Sequence, residues 1–299
     1  MSPFFSVVIP TYNCADYLKR ALNSVSSQTY QNFEVIVVDN SSTDHTEDVL
    51  NNFDDKRLTV IKVNNNGIIA HSRNKGIENA KGNWIAFLDS DDVWKPEKLK
   101  KVKKSLNQNP EVVLICHDEQ YIENSQIKNR LRYGPAVQNL YQRLLFKGNC
   151  VSTSATCLRK DIAIETGGFS EKKEFKTAED YEYWIRLAQV GQFYFIKEIL
   201  GEFHVHGENS SSNIHINTNA GMAVKEYHFS LWLSQFPNMK KKVKYGRGKM
   251  WADTGAVYIK SNHFDDAKKC ALKAIKLNPW YWKVWIVLLL GFFKIKINY

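Results

Sequence analysis

Three features are missing from this chain of 299 residues: a set of paired cysteines, an export signal and an apolar run long enough to cross a bilayer. The five cysteines are odd in number, scattered and without a CxxC pair, which argues against a disulfide framework and against a cysteine-based zinc site. Residues 1–10 contain no basic segment followed by an apolar one, as an export signal would. We therefore expect a cytoplasmic protein.

Acidic residues are scarce in the last fifth of the chain. The net charge is +10 at pH 7, and from Lys240 onward fourteen lysines and arginines face three aspartates, a net charge of +11 for this segment alone. Residues 1–239 therefore sum to about −1. If the protein has an anionic partner, its carboxyl-terminal segment is expected to bind that partner.

Residues 280–296 combine an apolar, aromatic stretch with Lys283, Lys294 and Lys296. The apolar part is about fourteen residues long, shorter than the ~20 needed to span a bilayer. This composition is typical of a helix in the membrane interface, here against anionic lipid on the inner face of the cell membrane. A buried helix that closes a helical domain is the alternative. Because the aromatic and apolar residues favour a membrane, we expect no nucleic-acid partner.

Short β-branched runs alternate with segments of helical periodicity through the first half of the chain. The predicted strands are residues 6–9, 33–38, 58–63 and 84–88, and the predicted helices between them are residues 15–26, 43–50 and 69–80. This alternation predicts an α/β fold with a mostly parallel sheet covered by helices on both faces. No GxGxxG follows the first strand, which argues against a nicotinamide-dependent dehydrogenase.

The second half of the chain has a different pattern. After Pro110 we expect a hairpin around residues 121–133 and helices over residues 138–146 and 177–190. Strand signals disappear near residue 215, which predicts one domain over residues 1–215 and a helical region over residues 216–299. Six residues of this region have the spacing of one tetratricopeptide repeat, with an ordinary helix pair as the alternative: Trp251, Gly255, Tyr258, Ala267, Ala274 and Pro279.

Three aspartates follow the predicted strand 84–88, in the sequence Asp89-Ser90-Asp91-Asp92. Carboxylates at a strand end can bind a hard cation such as Mn²⁺ or Mg²⁺, which in turn bridges a diphosphate. Three carboxylates this close repel one another unless a cation or good donors neutralise them. The alternative is a turn or a helix cap, which would account for Asp92.

Two more polar side chains have both a binding and a structural interpretation. Asp39 ends a strand, where its carboxylate can accept a hydrogen bond from the N–H of a pyrimidine base or can cap a turn. Arg73 lies in the helix after Gly67, where its guanidinium can clamp phosphate oxygens or lie exposed on the helix surface.

Residues Glu179 and Asp180 also allow two interpretations. With Thr177 as the N-cap, residues 177–180 resemble a capping box, which would place Asp180 in the first turn of a helix. Alternatively, one of the two carboxylates is the general base that takes a proton from an acceptor hydroxyl. His204 and His206 alternate on a predicted strand and should face opposite sides, with His206 either completing a cation site or packing.

Taken in order, these motifs resemble family 2 glycosyltransferases with the GT-A fold, over about residues 4–212. The residues that carry the resemblance are Pro10-Thr11-Tyr12-Asn13, Val38-Asp39-Asn40-Ser41-Ser42-Thr43-Asp44, Ala70-His71-Ser72-Arg73-Asn74-Lys75-Gly76, Phe87-Leu88-Asp89-Ser90-Asp91-Asp92, Gly167-Gly168-Phe169 and Glu179-Asp180. The resemblance implies a nucleotide-diphosphate sugar as donor, UDP being the expected nucleotide, and Mn²⁺ or Mg²⁺ as cofactor.

The resemblance also implies roles for individual residues in an inverting single displacement. Asp180 would be the base, with Glu179 beside it, and Asp91 would bind the metal together with Asp89 and His206. The remaining donor-binding residues would be Pro10, Thr11, Tyr12, Asn13 and Asp39 around the nucleoside, Arg73 near the base or diphosphate, and Asp89 and Ser90 near the ribose.

Two features separate this chain from processive members of the family. The QxxRW signature is absent, and so are multiple long transmembrane helices, which predicts transfer of one sugar per encounter. We expect the acceptor to be a glycan or a lipid-linked glycan in the synthesis of cell-surface polysaccharide or lipopolysaccharide. A non-catalytic scaffold that binds a nucleotide sugar is the alternative, and the presence of both Asp91 and Asp180 argues against it.

Overall fold

The computed structural model describes residues 2–207 and 213–296. Within these residues the chain forms two compact units. The first consists of the described residues in Met1–Tyr141, Asn149–Lys173 and Glu179–Asn209, and the second of those in Gln142–Gly148, Glu174–Ala178 and Ser210–Tyr299. No disulfide joins the five cysteines.

The first unit is built around one nine-stranded sheet. The strands are β1 (Phe5–Thr11), β2 (Phe33–Asp39), β3 (Leu58–Lys62), β4 (Trp84–Phe87), β5 (Val93–Trp94), β6 (Leu114–Glu123), β7 (Gln126–Leu131), β8 (Thr156–Arg159) and β9 (Phe193–Val205). Their order in the sheet is β3-β2-β1-β4-β8-β6-β9-β5, with β7 paired to β6.

Helices connect these strands. They are α1 (Ala15–Ser26), α2 (Thr46–Asn51), α3 (Ile69–Asn79), α4 (Lys98–Gln108), α5 (Leu140–Lys147), α6 (Lys160–Glu165) and α7 (Glu179–Val190). The predicted elements of the first half are all confirmed to within a few residues. The α2 helix begins three residues later than predicted because the side chain of Asp44 accepts hydrogen bonds from the backbone N–H and the hydroxyl of Thr46.

The first four strands form the expected parallel sheet, in which β1 lies between β2 and β4. All seven residues of β1 are buried, as for a central parallel strand with helices on both faces. At Gly76 of α3, an added Cβ would lie 2.2 Å from Cγ1 of Val8, so the helix packs directly on β1. This close packing fixes the position of α3 relative to the end of β1.

The second half of the sheet is mixed. Strand β8 is antiparallel to both β4 and β6, whereas β9 runs parallel to β6. The predicted hairpin is confirmed as β6–β7, and its turn residues Asn124 and Ser125 both have positive φ, as a tight two-residue hairpin turn requires. The sheet therefore combines a parallel half with a mixed half.

The second unit is helical. Its main helices are α8 (Ile214–Gln235), α9 (Lys240–Lys260), α10 (Phe264–Leu277) and α11 (Trp282–Phe293). The short connection between α9 and α10 makes them a helical hairpin, and at Gly255 of α9 an added Cβ would lie 3.3 Å from the carbonyl oxygen of Ala267 in α10. The tight packing at Gly255 suits a single tetratricopeptide-like hairpin as well as an ordinary helix pair. Among the described residues, no helix combines the length and apolarity needed to cross a membrane.

Candidate active site

The loops that follow β1 and β2 are joined by hydrogen bonds at the carboxyl edge of the sheet. Thr11 and Asp39, the last residues of the two strands, lie side by side in the parallel register. Asn13 accepts a hydrogen bond from the backbone N–H of Thr43 at 2.7 Å and donates its own N–H to Oγ of Ser42 at 2.9 Å. The two loops therefore form one connected surface.

Asp39 is only 2 % exposed, yet one of its oxygens has no hydrogen-bond partner in the described part of the chain. Oδ1 accepts from both the backbone N–H (3.1 Å) and the hydroxyl (2.6 Å) of Ser42, so Asp39 does cap a turn as the structural interpretation predicted. Oδ2 makes no hydrogen bond with the residues that the structure describes, and it remains accessible. A turn cap and a ligand contact are therefore compatible at this residue.

The Pro10-Thr11-Tyr12-Asn13 motif divides between strand and loop. Pro10 and Thr11 belong to β1 and are buried, so the strand extends two residues beyond the end predicted for it at residue 9. Tyr12 is more than half exposed, and Asn13 has a φ of 48°. Of the four residues, Tyr12 and Asn13 are exposed, and the side chain of Asn13 is hydrogen-bonded to Thr43.

Arg73 is buried and bridges two motifs that are far apart in the sequence. Its Nη1 donates to Oε1 of Glu179 and its Nη2 donates to Oδ1 of Asp89, each at 2.7 Å. The guanidinium lies 5.4 Å from the ring centre of Phe169. Burial alone would lower the pKa of Arg73, but Asp89 and Glu179 raise it above its ordinary value. Arg73 is 4 % exposed, so the exposed-arginine alternative is wrong, and each of its two terminal nitrogens donates one hydrogen bond to a carboxylate.

The Gly167-Gly168-Phe169 motif is held against α3 by Asn74. The side-chain amide of Asn74 donates to the carbonyl of Phe169 at 2.9 Å, and its oxygen accepts the Phe169 N–H at 2.8 Å. Gly168 has a φ of 67°, and an added Cβ would lie 2.4 Å from Oδ1 of Asn74. This pair of hydrogen bonds places the Phe169 ring beside Arg73.

The acidic cluster is oriented by Ser154. Its hydroxyl accepts the backbone N–H of Asp89 at 3.1 Å and donates to Oδ2 of Asp92 at 2.5 Å. The other oxygen of Asp92 accepts the backbone N–H of His204 at 2.9 Å. Burial, followed by the charges of Asp91 and Glu119, raises the pKa of Asp92 well above its usual range. Asp92 therefore holds the loop together and does not cap the helix that follows. Ser90, between the carboxylates, is buried.

Asp91 and His206 are in contact, with Oδ2 of the carboxylate 3.2 Å from Nε2 of the ring. The Tyr17 ring stacks on His206 at 4.3 Å. Burial, followed by repulsion from Asp89, raises the pKa of Asp91. Of the three predicted metal ligands, the structure thus brings Asp91 and His206 together, whereas Asp89 is engaged by Arg73.

The two histidines do not face opposite sides as predicted. His206 stacks on Tyr17 and His204 lies 3.1 Å from Arg20, and both partners belong to α1 and lie one helical turn apart. The prediction was wrong because residues two apart in a strand face the same side of the sheet, as His204 and His206 do here. Residues 208–212, which include the three consecutive serines Ser210, Ser211 and Ser212, lie outside the described residues.

Asp180 lies in the first turn of α7, as predicted, but not within a capping box. Thr177 has a φ of 76°, and its buried hydroxyl makes no hydrogen bond with any described residue, which corrects its assignment as the N-cap. Asp180 accepts the backbone N–H of Tyr181 at 2.6 Å and the hydroxyl of Thr153 at 3.3 Å. Burial and the charge of Glu179 raise the pKa of Asp180 to about 6, against the opposing effect of Arg73.

The two carboxylates of this pair therefore differ in environment. Glu179 is buried and bound to Arg73, whereas Asp180 is partly exposed. At neutral pH a carboxylate whose pKa lies near 6 is mostly ionised, yet it is a stronger base than an ordinary aspartate. Of the two, Asp180 has the properties of a general base.

Sequence reasoning missed several polar residues around these motifs, among them Ser154, Thr153, Tyr17 and Glu119. Glu119 is fully buried on β6, accepts the Tyr133 hydroxyl at 2.8 Å, and has a pKa that burial raises to about 7. A signal for Glu119 was available, because three ionisable residues in succession are unusual inside a strand. The isolated hydroxyls of Ser154 and Thr153 gave no such signal.

The register of the sheet relates the two ends of the site. Extending the pairing of β1 with β4 by two residues sets the backbone of Asp89 beside Pro10, while Asp39 lies beside Thr11 on the other side of β1. Two strand spacings separate them, about 10 Å. The loops that follow β1 and β2 and the three aspartates that follow β4 are therefore at one edge of the sheet, where ligands of α/β folds bind.

The sequence also matches known proteins. A profile of Glycosyl transferase family 2 matches residues 6–167. The putative teichuronic acid biosynthesis glycosyltransferase TuaG of Bacillus subtilis is 30 % identical over 214 residues, covering 71 % of this chain and 82 % of that protein. The Escherichia coli UDP-Glc:alpha-D-GlcNAc-diphosphoundecaprenol beta-1,3-glucosyltransferase WfaP is 33 % identical over 186 residues, covering 62 % and 70 %.

Two solved structures share the fold. Residues 1–349 of S. aureus TarS in complex with UDP-GlcNAc align with a TM-score of 0.65 and 18 % identity, covering 99 % of this chain and 93 % of that one. The mannosyltransferase PcManGT from Pyrobaculum calidifontis, in complex with GDP-Man and Mn²⁺, aligns with a TM-score of 0.59 and 17 % identity, covering 98 % and 87 %. The family profile and the TuaG relationship carry the assignment: this chain belongs to glycosyltransferase family 2.

Proposed function

We propose that this protein is an inverting, non-processive glycosyltransferase that moves one sugar from a UDP-sugar to a hydroxyl of an acceptor glycan, and that residues 1–215 perform the transfer. The observation that carries the proposal is the buried link from Asp89 through Arg73 to Glu179. It holds the acidic cluster beside Asp180, so that a donor site and a base meet at one place.

The loops that follow β1 and β2 supply the groups that would bind the nucleobase of the donor. Oδ2 of Asp39 can accept an N–H of the base, and the exposed ring of Tyr12 offers a stacking surface. Uracil and guanine both carry such an N–H. We favour uracil because the names of WfaP and of the TarS complex specify UDP-sugars, although PcManGT was solved with GDP-Man.

Asp91 and His206 fit a divalent cation. Their contact at 3.2 Å, together with the neighbouring carboxylate of Asp89, gives a mixed oxygen and nitrogen donor set, which suits Mn²⁺ better than Mg²⁺. Burial, followed by repulsion from Asp89, raises the pKa of Asp91, and a bound cation would relieve that repulsion. The chemistry that Mn²⁺ or Mg²⁺ supplies when bound is neutralisation of the charge on the departing diphosphate.

Asp180 is the proposed base. The Tyr181 N–H and the Thr153 hydroxyl fix its carboxylate, which takes the proton from the acceptor hydroxyl. The acceptor oxygen forms a bond to the anomeric carbon while the bond from that carbon to the diphosphate oxygen breaks, so the configuration inverts. General base catalysis of this kind contributes roughly 10²- to 10⁴-fold in rate.

A donor panel tests the proposal against the scaffold alternative. Purified protein is incubated with Mn²⁺ and UDP-glucose, UDP-GlcNAc, UDP-galactose or GDP-mannose, and the release of free nucleotide is measured with and without lipid-linked glycan acceptors. Turnover of one UDP-sugar supports the proposal. Tight UDP binding without turnover of any donor would support the scaffold, and preference for GDP-mannose would overturn the UDP assignment.

We further propose that the protein works at the inner face of the cell membrane, on a lipid-linked acceptor of cell-surface polysaccharide synthesis, and that residues 216–299 attach it there. The names of TuaG and WfaP include a cell-wall polymer and a diphosphoundecaprenol acceptor. These names support the acceptor class, and the surface of α11 supports the attachment.

Helix α11 is apolar on two sides. Val284, Val287 and Gly291 are buried within the helical unit, as expected for a helix that closes it. The rest of the surface of α11 and the residues that flank it expose large apolar side chains, namely Trp280, Trp282, Trp285, Ile286, Leu289, Phe292, Phe293 and Ile295. Exposed apolar patches of this kind mark interaction surfaces. The two alternatives from the sequence are therefore compatible, because one side packs and the other is left for a partner.

The positive charge around α11 indicates which kind of partner this surface binds. From Ala267 onward the chain has seven lysines and no aspartate or glutamate. An apolar, tryptophan-rich surface with lysines around it is complementary to a bilayer that contains anionic lipid, since the rings enter the interface and the lysines meet the headgroups. We therefore propose that the outer side of α11 binds an anionic membrane.

A further inference from the structure

We propose that the helical unit binds a divalent transition-metal ion, Zn²⁺ being the best fit, through His215, His263 and Asp266. One ligand atom from each of these residues lies within 4.8 Å of the other two. Ligands around a common tetrahedral Zn²⁺ lie about 3.4 Å apart, given bonds of about 2.1 Å. His215 is exposed and the other two are half-buried, so side-chain rotations can close this difference.

The three residues come from two helix starts. His215 lies in the first turn of α8, His263 directly precedes α10, and Asp266 lies in the first turn of α10. A shared ion would therefore tie the beginning of α8 to the beginning of α10. Ile214, next to His215, already packs against the apolar cluster that contains Tyr258 and Ala267, so both ends of this tie are anchored in the core of the unit.

His215 has a second partner that orients its ring. The hydroxyl of Tyr258 lies 3.3 Å from Nδ1 of His215 and 2.9 Å from Oγ1 of Thr218, and that oxygen donates to the carbonyl of Ile214 at 2.8 Å. When Thr218 donates to the carbonyl and Tyr258 donates to Thr218, Tyr258 is left to accept the Nδ1–H of His215. This arrangement leaves the lone pair on Nε2, and metal-bound histidines usually have such an outer hydrogen bond.

His263 and Asp266 also have unused ligand atoms. Among the described residues, neither side-chain nitrogen of His263 has a hydrogen-bond partner, and its ring packs against His215 with centroids 4.7 Å apart. Oδ1 of Asp266 accepts from Lys269 at 3.1 Å, which leaves Oδ2 for a cation. Two imidazoles and one carboxylate form a donor set that suits Zn²⁺ and its neighbours Co²⁺ and Ni²⁺, with water at the remaining position.

This site is separate from the donor site and does not depend on glycosyl transfer. Its test uses the full chain with Asp91→Asn, which removes a ligand from the donor site and leaves the helical unit unchanged. Metal is stripped with a chelator, Co²⁺ is added, and its visible absorption is recorded, since four-coordinate Co²⁺ absorbs far more strongly than the aqueous ion. We expect one such Co²⁺ per chain, displaced by Zn²⁺.

Three variants on this background decide the assignment. His263→Ala and Asp266→Asn should abolish the Co²⁺ signal, and Tyr258→Phe should weaken binding by roughly 10- to 100-fold. His45→Ala is the matched control, because His45 is an exposed histidine 3.2 Å from Asp16 without a second histidine, and its loss should change nothing. Circular dichroism shows whether each variant is folded. Equal Co²⁺ binding by the His263→Ala variant, or no binding by the parent at micromolar Co²⁺, would overturn the proposal.

Discussion

Arg73 on α3 donates a 2.7 Å hydrogen bond to Asp89, the first carboxylate after β4, although the arginine is almost completely buried. A second 2.7 Å bond joins the same guanidinium to Glu179. A buried cation is stable only when its partners neutralise it, and here two carboxylates do so. Three motifs that are far apart in the sequence are thus joined by a single side chain.

The first prediction concerns this link. Arg73→Ala leaves Glu179 buried without a cation, which should lower the free energy of unfolding by about 3–5 kcal/mol. Urea denaturation measures the change. Arg159→Ala is the control, because Arg159 pairs with the exposed Asp161, and a pair of this kind contributes about 0–1 kcal/mol. Similar losses in the two variants would contradict the role of Arg73.

The second prediction concerns the metal-dependent binding of the donor. Asp91→Asn should weaken UDP binding in the presence of Mn²⁺ by at least about 10-fold, a loss that even outer-shell partners of a metal cause. Calorimetry with and without Mn²⁺ measures it, and the variant should lose the difference between the two conditions. Asp16→Asn is the matched control, since Asp16 also lies 3.2 Å from a histidine but on the exposed surface.

A third prediction follows from the raised pKa of Asp180. The folded state binds the proton of this carboxyl with a pKa of about 6, whereas the ordinary value is 3.8. The folded state is therefore favoured below pH 4, and this advantage is lost as the pH rises through about 6. Asp180→Asn should then stabilise the protein at pH 8 by at most about 3 kcal/mol and have little effect at pH 4. Denaturation at both pH values tests the sign, and a destabilised variant at pH 8 would contradict it.

The fourth prediction concerns the outer side of α11. The triple variant Trp285→Ser, Leu289→Ser, Phe292→Ser should no longer sediment with vesicles that contain phosphatidylglycerol, whereas the wild-type protein should sediment with them and less so at high salt. Leu272→Ser with Ile127→Ser is the control, because these two residues are equally exposed but lie outside α11. If the wild-type protein does not sediment with the vesicles and instead forms dimers through α11, a second copy of the chain covers this surface and the membrane proposal is wrong.

The sequence predicted the parallel half of the sheet well because local periodicity determines those elements. Strands β1 to β3 are rich in β-branched residues, and α1 has one apolar side with Leu18, Leu22 and Val25 buried. The mixed half was harder to predict, since β5 has only two residues and carries no periodic signal. The antiparallel pairing of β8 with β4 and β6 depends on partners far along the chain.

The candidate site was predicted as a set of residues but not as a set of contacts. The motifs identified Asp89, Arg73 and Glu179, yet nothing local indicated that the arginine is buried between the two carboxylates. Ser154 was missed for the same reason, because its bonds to Asp89 and Asp92 span more than sixty residues of sequence. Contacts of this kind are set by the tertiary fold.

The pH dependence of turnover in wild type and in Asp180→Asn tests the central claim most directly. We expect the wild-type kcat to fall below about pH 6, as the Asp180 carboxylate becomes protonated, and to be constant above it. Asp180→Asn should turn over roughly 10²- to 10⁴-fold more slowly at neutral pH while binding UDP normally, and Asp161→Asn should match the wild type. An Asp180→Asn variant that retains the wild-type rate and pH profile would contradict the claim.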